Sequence, residues 1–366
     1  MNTMDMVDTL RIRIDQAEIG MVVASDVYNL NNQLILTKGT VLDERMITKL
    51  RFYHVYGLYV FKRTSEGIHG EENKEGSYIE AVRNTEEFKK FNNSYVETVG
   101  NVESHFNKVL QESSEINVDQ LLEETDRILK EGRNGIHIFE MLQGIRDYDD
   151  LTYVHSLNVS LICNIFGHWL NFSEEDIRAL TLAGLFHDIG KMLVPKDIIT
   201  KASKLTKEEY EIVKTHSMKG FQILKDHPID IRVKYAALMH HERCDGSGYP
   251  NGFRSNQIEP FAKIVAIADV YDAMTSNRRY RNAICPFDVV ESFEKDGFLK
   301  FDPKYIMVFL ERIVQSYIHN KVRLNDGSEG EVVMINKLAL SRPVIRVGNK
   351  FVDLTKEHGL SIEAII

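Results

Sequence analysis

Apolar and polar positions run in two different rhythms along this chain, and the changes of rhythm divide it. Leu10, Ile12 and Ile14 alternate with charged neighbours at a period of two, as a half-buried strand does. Tyr28-Asn29-Leu30 and Leu34-Ile35-Leu36 flank Asn31-Asn32, which predicts a hairpin turn. Asp43 is placed to cap a short helix through Phe52, and Val55 to Phe61 reads as a further strand. Residues 1–62 are thus expected to form a small N-terminal α/β unit. From Lys62 to Ser77 the chain is polar, carries three glycines and has no period, the mark of a linker.

A helical rhythm takes over from Tyr78 to about Leu142. Tyr95, Val99, Val102, Phe106 and Val109 step by four, three, four and three, the spacing of a coiled-coil seam. So short a seam serves either core packing or a homodimer through these connecting helices, and spacing alone does not choose. Residues 63–142 are read as linker and connecting helices, and 143–318 as a mostly helical catalytic domain. Within it, Ser173-Glu174-Glu175-Asp176 and Thr206-Lys207-Glu208-Glu209 resemble capping boxes, the second opening the helix that carries His216. Pro260 suits a first helical position. After His319 the rhythm returns to two. Lys321–Leu324 and Glu331–Ile335 meet at Asn325-Asp326-Gly327, and Val344–Val347 and Phe351–Leu354 meet at Gly348-Asn349. The expected fold is mainly α: an all-helical catalytic domain between the N-terminal unit and a small C-terminal β unit over 319–366.

Composition narrows the function. A chain of 366 residues is too long for one typical domain. A net charge of −9 does not suit a DNA-binding protein, although an anionic ligand can still be held by a local cluster of metal ions and arginines. Cys163, Cys244 and Cys285 are odd in number and far apart, which fits a reducing cytoplasm rather than a disulfide framework. Met1 to Leu10 carries Asp5 and Asp8 without an apolar core, so no signal peptide is expected. Nor does any apolar run reach the roughly 18 residues that a membrane span needs.

The chemistry is concentrated between residues 153 and 281. His240-His241-Glu242-Arg243-Cys244-Asp245-Gly246-Ser247-Gly248-Tyr249-Pro250 follows His187-Asp188-Ile189-Gly190-Lys191 by about fifty residues. A lone histidine is more often a surface or core residue than a ligand. His155, His187, Asp188, His216, His240, His241 and Asp269 form a set that is harder to dismiss. Neighbouring helical residues point about 100° apart, so vicinal ligands can engage one ion from two sides or two adjacent ions. A carboxylate such as Asp188 can bridge. Two six-coordinate ions held this way keep open positions, as catalytic sites do. Histidine-rich nitrogen and oxygen ligation suits iron, manganese, cobalt, nickel or zinc better than magnesium, and two ions of iron or manganese are expected.

Tyr153-Val154-His155-Ser156, His187 to Lys191, Lys214-Thr215-His216, His240 to Pro250, Ala268-Asp269-Val270-Tyr271-Asp272-Ala273 and Thr275 to Arg281 together resemble the HD-GYP subgroup of the HD-domain phosphohydrolases. The resemblance implies hydrolysis of the bacterial messenger cyclic di-GMP to pGpG, in some members on to GMP, by a metal-activated water. It implies that His155, His187, Asp188 and Asp269 lean towards one ion. His216, His240, His241 and bridging Asp188 would hold the other. Asp188 and Lys191 would be catalytic, with Lys191 near the scissile phosphate, and Tyr249, Asp272, Arg278 and Arg281 would contact substrate. A rival reading, compatible with catalysis, is an interaction role in which the Gly248-Tyr249-Pro250 loop docks onto a messenger synthase.

There are departures. Leu151 stands where some members have a glutamate for a third metal, so two ions are expected. Cys244 replaces a frequent aromatic and reads as a packing residue, and Asn277 replaces a frequent acid. The alternatives are an inactive cyclic di-GMP receptor and a phosphodiesterase for a different cyclic dinucleotide.

Overall fold

A computed structural model describes residues 9–13, 17–18, 20–28, 34–42, 46–47, 50, 57–61, 82–83, 85–111, 116–145, 152–201, 205–276 and 284–366. The chain forms two compact units, Met1–Lys74 and Glu75–Ile366. In the first, strand β1 (Thr9–Arg13) and two short strands, β2 (Val27–Tyr28) and β3 (Leu34–Leu36), precede β4 (Gly57–Phe61). β1 pairs antiparallel with β4, and β2 with β3. The period of two buries Ile12, Leu58 and Val60 in one apolar cluster with Val23, Val27, Ile35, Leu42 and Leu50. Ile14, the Asn31-Asn32 turn and most of the helix expected after Asp43 lie outside the described residues.

The second unit opens with α1 (Glu86–Gln111), α2 (Val118–Glu131) and α3 (Gly135–Ile145). Along the α1 seam Tyr95, Val102, Phe106 and Val109 are buried. Phe106 stacks on Phe186 at 5.4 Å and meets Tyr153 edge-on at 5.9 Å. The face that could have served a homodimer is filled by the chain's own helices, because these rings find apolar partners within the unit. The connecting helices are thereby part of the same compact body as the helices that follow.

Those are α4 (Thr152–Trp169), α5 (Glu174–Phe186), a 3₁₀ turn (Ile189–Leu193), α6 (Lys207–Lys214), α7 (His216–Leu224), α8 (Ile231–Met239) and α9 (Pro260–Thr275). Ser173 caps α5, its Oγ accepting from Asp176 N, and the Thr206–Glu209 capping box on α6 is complete. The helix expected to run on to His216 instead divides at Thr215, so His216 begins α7. α4 is buried at every residue from His155 to Gly167, and α9 is nearly as enclosed. A helix apolar all round belongs in a core, and any polar group on it must find a partner there. His155, Asn158, Asp269 and Asp272 are such groups.

Behind them come α10 (Pro286–Ser292), a π turn (Phe293–Gly297) and α11 (Pro303–Gln315). The chain then enters a five-stranded antiparallel sheet of β5 (Lys321–Leu324), β6 (Glu329–Met334), β7 (Val344–Val347), β8 (Lys350–Asp353) and β9 (Ile362–Ile365). The strand order is β8-β7-β6-β5-β9. Glu294 on the π turn ties the sheet to the helices, its carboxylate accepting from Leu340 N at 2.6 Å, from Ser341 N at 3.3 Å and from the Ser341 hydroxyl. Among the described residues, no helix is long and apolar enough to cross a membrane.

Candidate metal centre

Four histidines arrive from four elements, each with Nδ1 turned to an oxygen acceptor. His187 Nδ1 donates to the Gly184 carbonyl at 2.7 Å, and His216 Nδ1 to the Val213 carbonyl at 2.7 Å. His240 Nδ1 lies 3.1 Å from the Ala236 and Ala237 carbonyls, and His155 Nδ1 lies 2.7 Å from Asp272 Oδ2. A carbonyl or carboxylate oxygen can only accept, so each Nδ1 carries a proton. In His187, His216 and His240 this leaves Nε2 to offer its lone pair, whereas His155 Nε2 also faces a carboxylate oxygen, Asp269 Oδ1 at 3.0 Å. All four Nε2 atoms face Asp188.

Asp188 divides them. Its Oδ2 lies 3.3 Å from His187 Nε2 and 3.5 Å from His155 Nε2, while its Oδ1 lies 3.3 Å from His216 Nε2 and 3.7 Å from His240 Nε2. Asp269 Oδ1 stands 3.0 Å from His155 Nε2 and 4.0 Å from His187 Nε2, and its Oδ2 is 4.0 Å from His241 Nδ1. Two groups of potential ligand atoms result, each within 4.8 Å: His155, His187 and Asp188, and Asp188, His216, His240 and His241. His187 Nε2 and Asp188 Oδ1 are buried without a hydrogen-bond partner. Buried orphans cost free energy unless something satisfies them. A divalent ion on each side of Asp188 fits both the orphaned atoms and the mixed donor set.

Electrostatics prepare the same state. Burial opposes ionisation of Asp188, but Lys191 and His187 hold its carboxyl well below the usual range. Burial likewise opposes ionisation of Asp269, and His155 outweighs it. Burial pushes His216 down to about 3 and lowers His240 and His241 as well. Neutral imidazoles and ionised carboxylates are what metal binding requires. His155 differs. Burial lowers it, yet hydrogen bonds to Asp269 and Asp272 prevail and raise it to about 9.

Backbone contacts hold the ligand segments together. A Cβ on Gly190 would lie 1.9 Å from the His216 carbonyl oxygen and 2.4 Å from Gly220 N, so the turn after Asp188 rests directly on α7. A Cβ on Gly248 would lie 2.4 Å from Glu242 Cα and 2.5 Å from both Arg243 N and the His241 carbonyl oxygen. Buried Glu242 accepts from Asn251 N at 2.8 Å and Phe253 N at 2.9 Å, closing the loop. Arg243 Nη1 donates to the carbonyls of His240 and Glu242, at 3.1 and 2.9 Å. Tyr249 stacks on the His241 ring at 4.6 Å.

Residues 122–305, half of the chain, match the family model for the HD domain. The chain belongs to the HD-domain family. It is 35% identical over 205 residues to a cyclic di-GMP phosphodiesterase of Pseudomonas aeruginosa, covering 56% of this chain and 49% of that one. A cyclic di-GMP phosphodiesterase of Thermotoga maritima is 34% identical over 213 residues, covering 54% and 57%. A 3′3′-cGAMP-specific phosphodiesterase of Vibrio cholerae is 39% identical over 133 residues, covering 36% and 31%. The chain spans about half the length, or less, of these curated relatives.

The HD domain brings His155, His187, Asp188, His216, His240, His241 and Asp269 to one place. Lys191 joins them, its Nζ 2.5 Å from Asp188 Oδ2 and a quarter exposed. Tyr249 reaches the site too, with one face already spent on His241. Asp272, expected at the substrate, is instead buried behind His155. Both its oxygens are engaged, Oδ2 by His155 and Oδ1 by Asn158 at 3.0 Å and Ser276 at 3.1 Å. Arg278, Arg281, Asn277 and Leu151 lie outside the described residues. The Cys244 thiol is outside both ligand groups, and burial raises its pKa. The sequence reading gave no role to Glu242, Arg243, Asn158 or Gly220. Of these, Asn158 carried a signal: it lies three residues after His155, on the same helix face.

Proposed function

We propose that this HD-domain protein is a binuclear, metal-dependent phosphodiesterase of the HD-GYP type that opens cyclic di-GMP to linear pGpG. The observation that carries the reading is the Asp188 carboxylate, set between two histidine groups with buried atoms left unsatisfied. Two divalent ions held there, for which iron and manganese are both compatible with the donor set, would activate a water and stabilise the leaving oxygen of a phosphodiester. The protein's part is to orient and to charge. Nδ1 hydrogen bonds aim the four Nε2 atoms. Lys191, partly exposed beside Asp188, is placed to offset charge developing on a phosphoryl oxygen. Tyr249 backs His241, and Glu242 with Gly248 fixes the loop that carries Tyr249. Arg278 and Arg281 remain the proposed substrate contacts, and a cytoplasmic location accords with the widely spaced cysteines.

A second reading, hydrolysis of 3′3′-cGAMP, is favoured by the identity to the Vibrio cholerae relative. One experiment addresses both. Protein purified without oxygen is assayed for metal content and for hydrolysis of cyclic di-GMP and 3′3′-cGAMP side by side. Turnover of cyclic di-GMP at about two ions per chain, abolished in Asp188→Ala, is the expected result. Preference for 3′3′-cGAMP selects the second reading, and intact substrates despite full loading refute both.

A further inference from the structure

Behind the metal ligand His155 runs a line of buried polar groups that ends on the connecting helix α1. Each link has one possible polarity. The Asp272 carboxylate accepts from His155 Nδ1 at 2.7 Å through Oδ2, and through Oδ1 from Asn158 at 3.0 Å. A carboxylate cannot donate, so Asn158 must present its amide nitrogen to Asp272. The Asn158 carbonyl oxygen is thereby turned the other way, where the Tyr95 hydroxyl meets it at 2.5 Å. The Tyr95 oxygen also lies 3.4 Å from the Val154 carbonyl, which can only accept. Tyr95, Asn158, Asp272 and His155 are all less than a tenth exposed, so water does not compete for these bonds.

We infer that Tyr95 is a positioning residue for metal binding: through Asn158 and Asp272 it fixes the orientation and basicity of His155. The inference rests on the metal-centre reading above and extends it to a helix that supplies no ligand. Its reason is chemical. A carboxylate behind a ligating histidine raises the basicity of the metal-facing nitrogen and locks the ring, and losing such a partner weakens metal binding about 10–100-fold. Without the Tyr95 hydroxyl, the buried Asn158 carbonyl loses its donor, and the amide is held from the Asp272 side alone. The consequence is that the packing of α1 on α4 enters the metal affinity directly.

The test uses cobalt(II) as the probe, with affinity measured by competition against a chromophoric chelator and ligand geometry read from the visible spectrum. Asp272→Asn is expected to weaken binding about 10–100-fold, and Tyr95→Phe about tenfold, both with altered spectra. The metal-free melting curve of Tyr95→Phe should stay native-like. Asn158→Leu should match or exceed the Tyr95→Phe loss, and adding Tyr95→Phe to it should cost nothing more, because Tyr95 acts only through Asn158. Native affinity and spectrum in Tyr95→Phe, or additive losses in the double variant, would overturn the inference while leaving the metal centre standing. A native protein that takes up no cobalt overturns both.

Discussion

Replacing Gly248 by alanine adds one carbon to the protein and should cost most of the proposed phosphodiesterase activity. The new Cβ would stand 2.4 Å from Glu242 Cα and 2.5 Å from Arg243 N and the His241 carbonyl oxygen. Carbon atoms pack at about 3.5 Å or more, so roughly 1 Å of relief must be found. Two segments can give way. One is the backbone from His241 to Arg243, which carries a proposed metal ligand. The other is the loop itself, which Glu242 pins through Asn251 and Phe253 and which stacks Tyr249 on His241. Either movement shifts His241 or its support by several times the roughly 0.2 Å that metal–ligand distances tolerate. A misplacement of that size costs about a hundredfold in rate, or about 2.7 kcal/mol in the barrier. The assay is metal content per chain and turnover of cyclic di-GMP on the same sample. Gly327→Ala serves as the control: its φ of +85° strains alanine, but nothing lies within 4 Å and the turn is in the β unit. That variant should lose about 1 kcal/mol of stability and keep its metal. Gly248→Ala with native metal content and turnover within about threefold would refute the reasoning.

Three further outcomes are expected. Glu242→Gln removes the charge from two hydrogen bonds and leaves one loop N–H facing an amide donor, so denaturant unfolding should show a loss of about 2 kcal/mol; an unchanged midpoint would count against the clamp. Arg232 hydrogen-bonds to Asp176 and Asp230 and lowers both carboxyls, so its stabilisation is present above the unfolded carboxyl range and is lost as pH falls through their folded values. The gap in melting temperature between native protein and Arg232→Met should therefore narrow below about pH 4, and a constant gap would contradict it. Glu294→Gln should speed hydrogen exchange at Leu340 and Ser341, which donate to that carboxylate, with little change in α4 or α9.

Much of the candidate site was legible because its residues come in paired, chemically unusual groups at helix ends. His187-Asp188 and His240-His241 could be found without a fold. Asp272 was misplaced for a physical reason: three residues beyond Asp269 it shares that helix face, and spacing cannot say whether a carboxylate meets a ligand or stands behind one. The α1 seam was visible, but its partner was not, since one heptad pattern serves a second chain or the chain's own α4 and α5 equally well. The break at Thr215 went unread because Lys-Thr-His contains no helix breaker. The two C-terminal hairpins announced themselves through Asp-Gly and Gly-Asn turns. β9 has no adjoining hairpin and pairs with β5 across nearly forty residues of sequence, so nothing local marked it.

The contact at Gly190 has a consequence for inheritance. The atoms that a side chain there would strike are the His216 carbonyl oxygen and the Gly220 nitrogen, both main chain. Every amino acid carries those atoms, so no second substitution at either position can make room. A crowded side chain can be relieved by a smaller neighbour, and lineages drift through such exchanges. This position offers no such path. The Gly190 seam should therefore pass down unaltered, or the two ligand segments part.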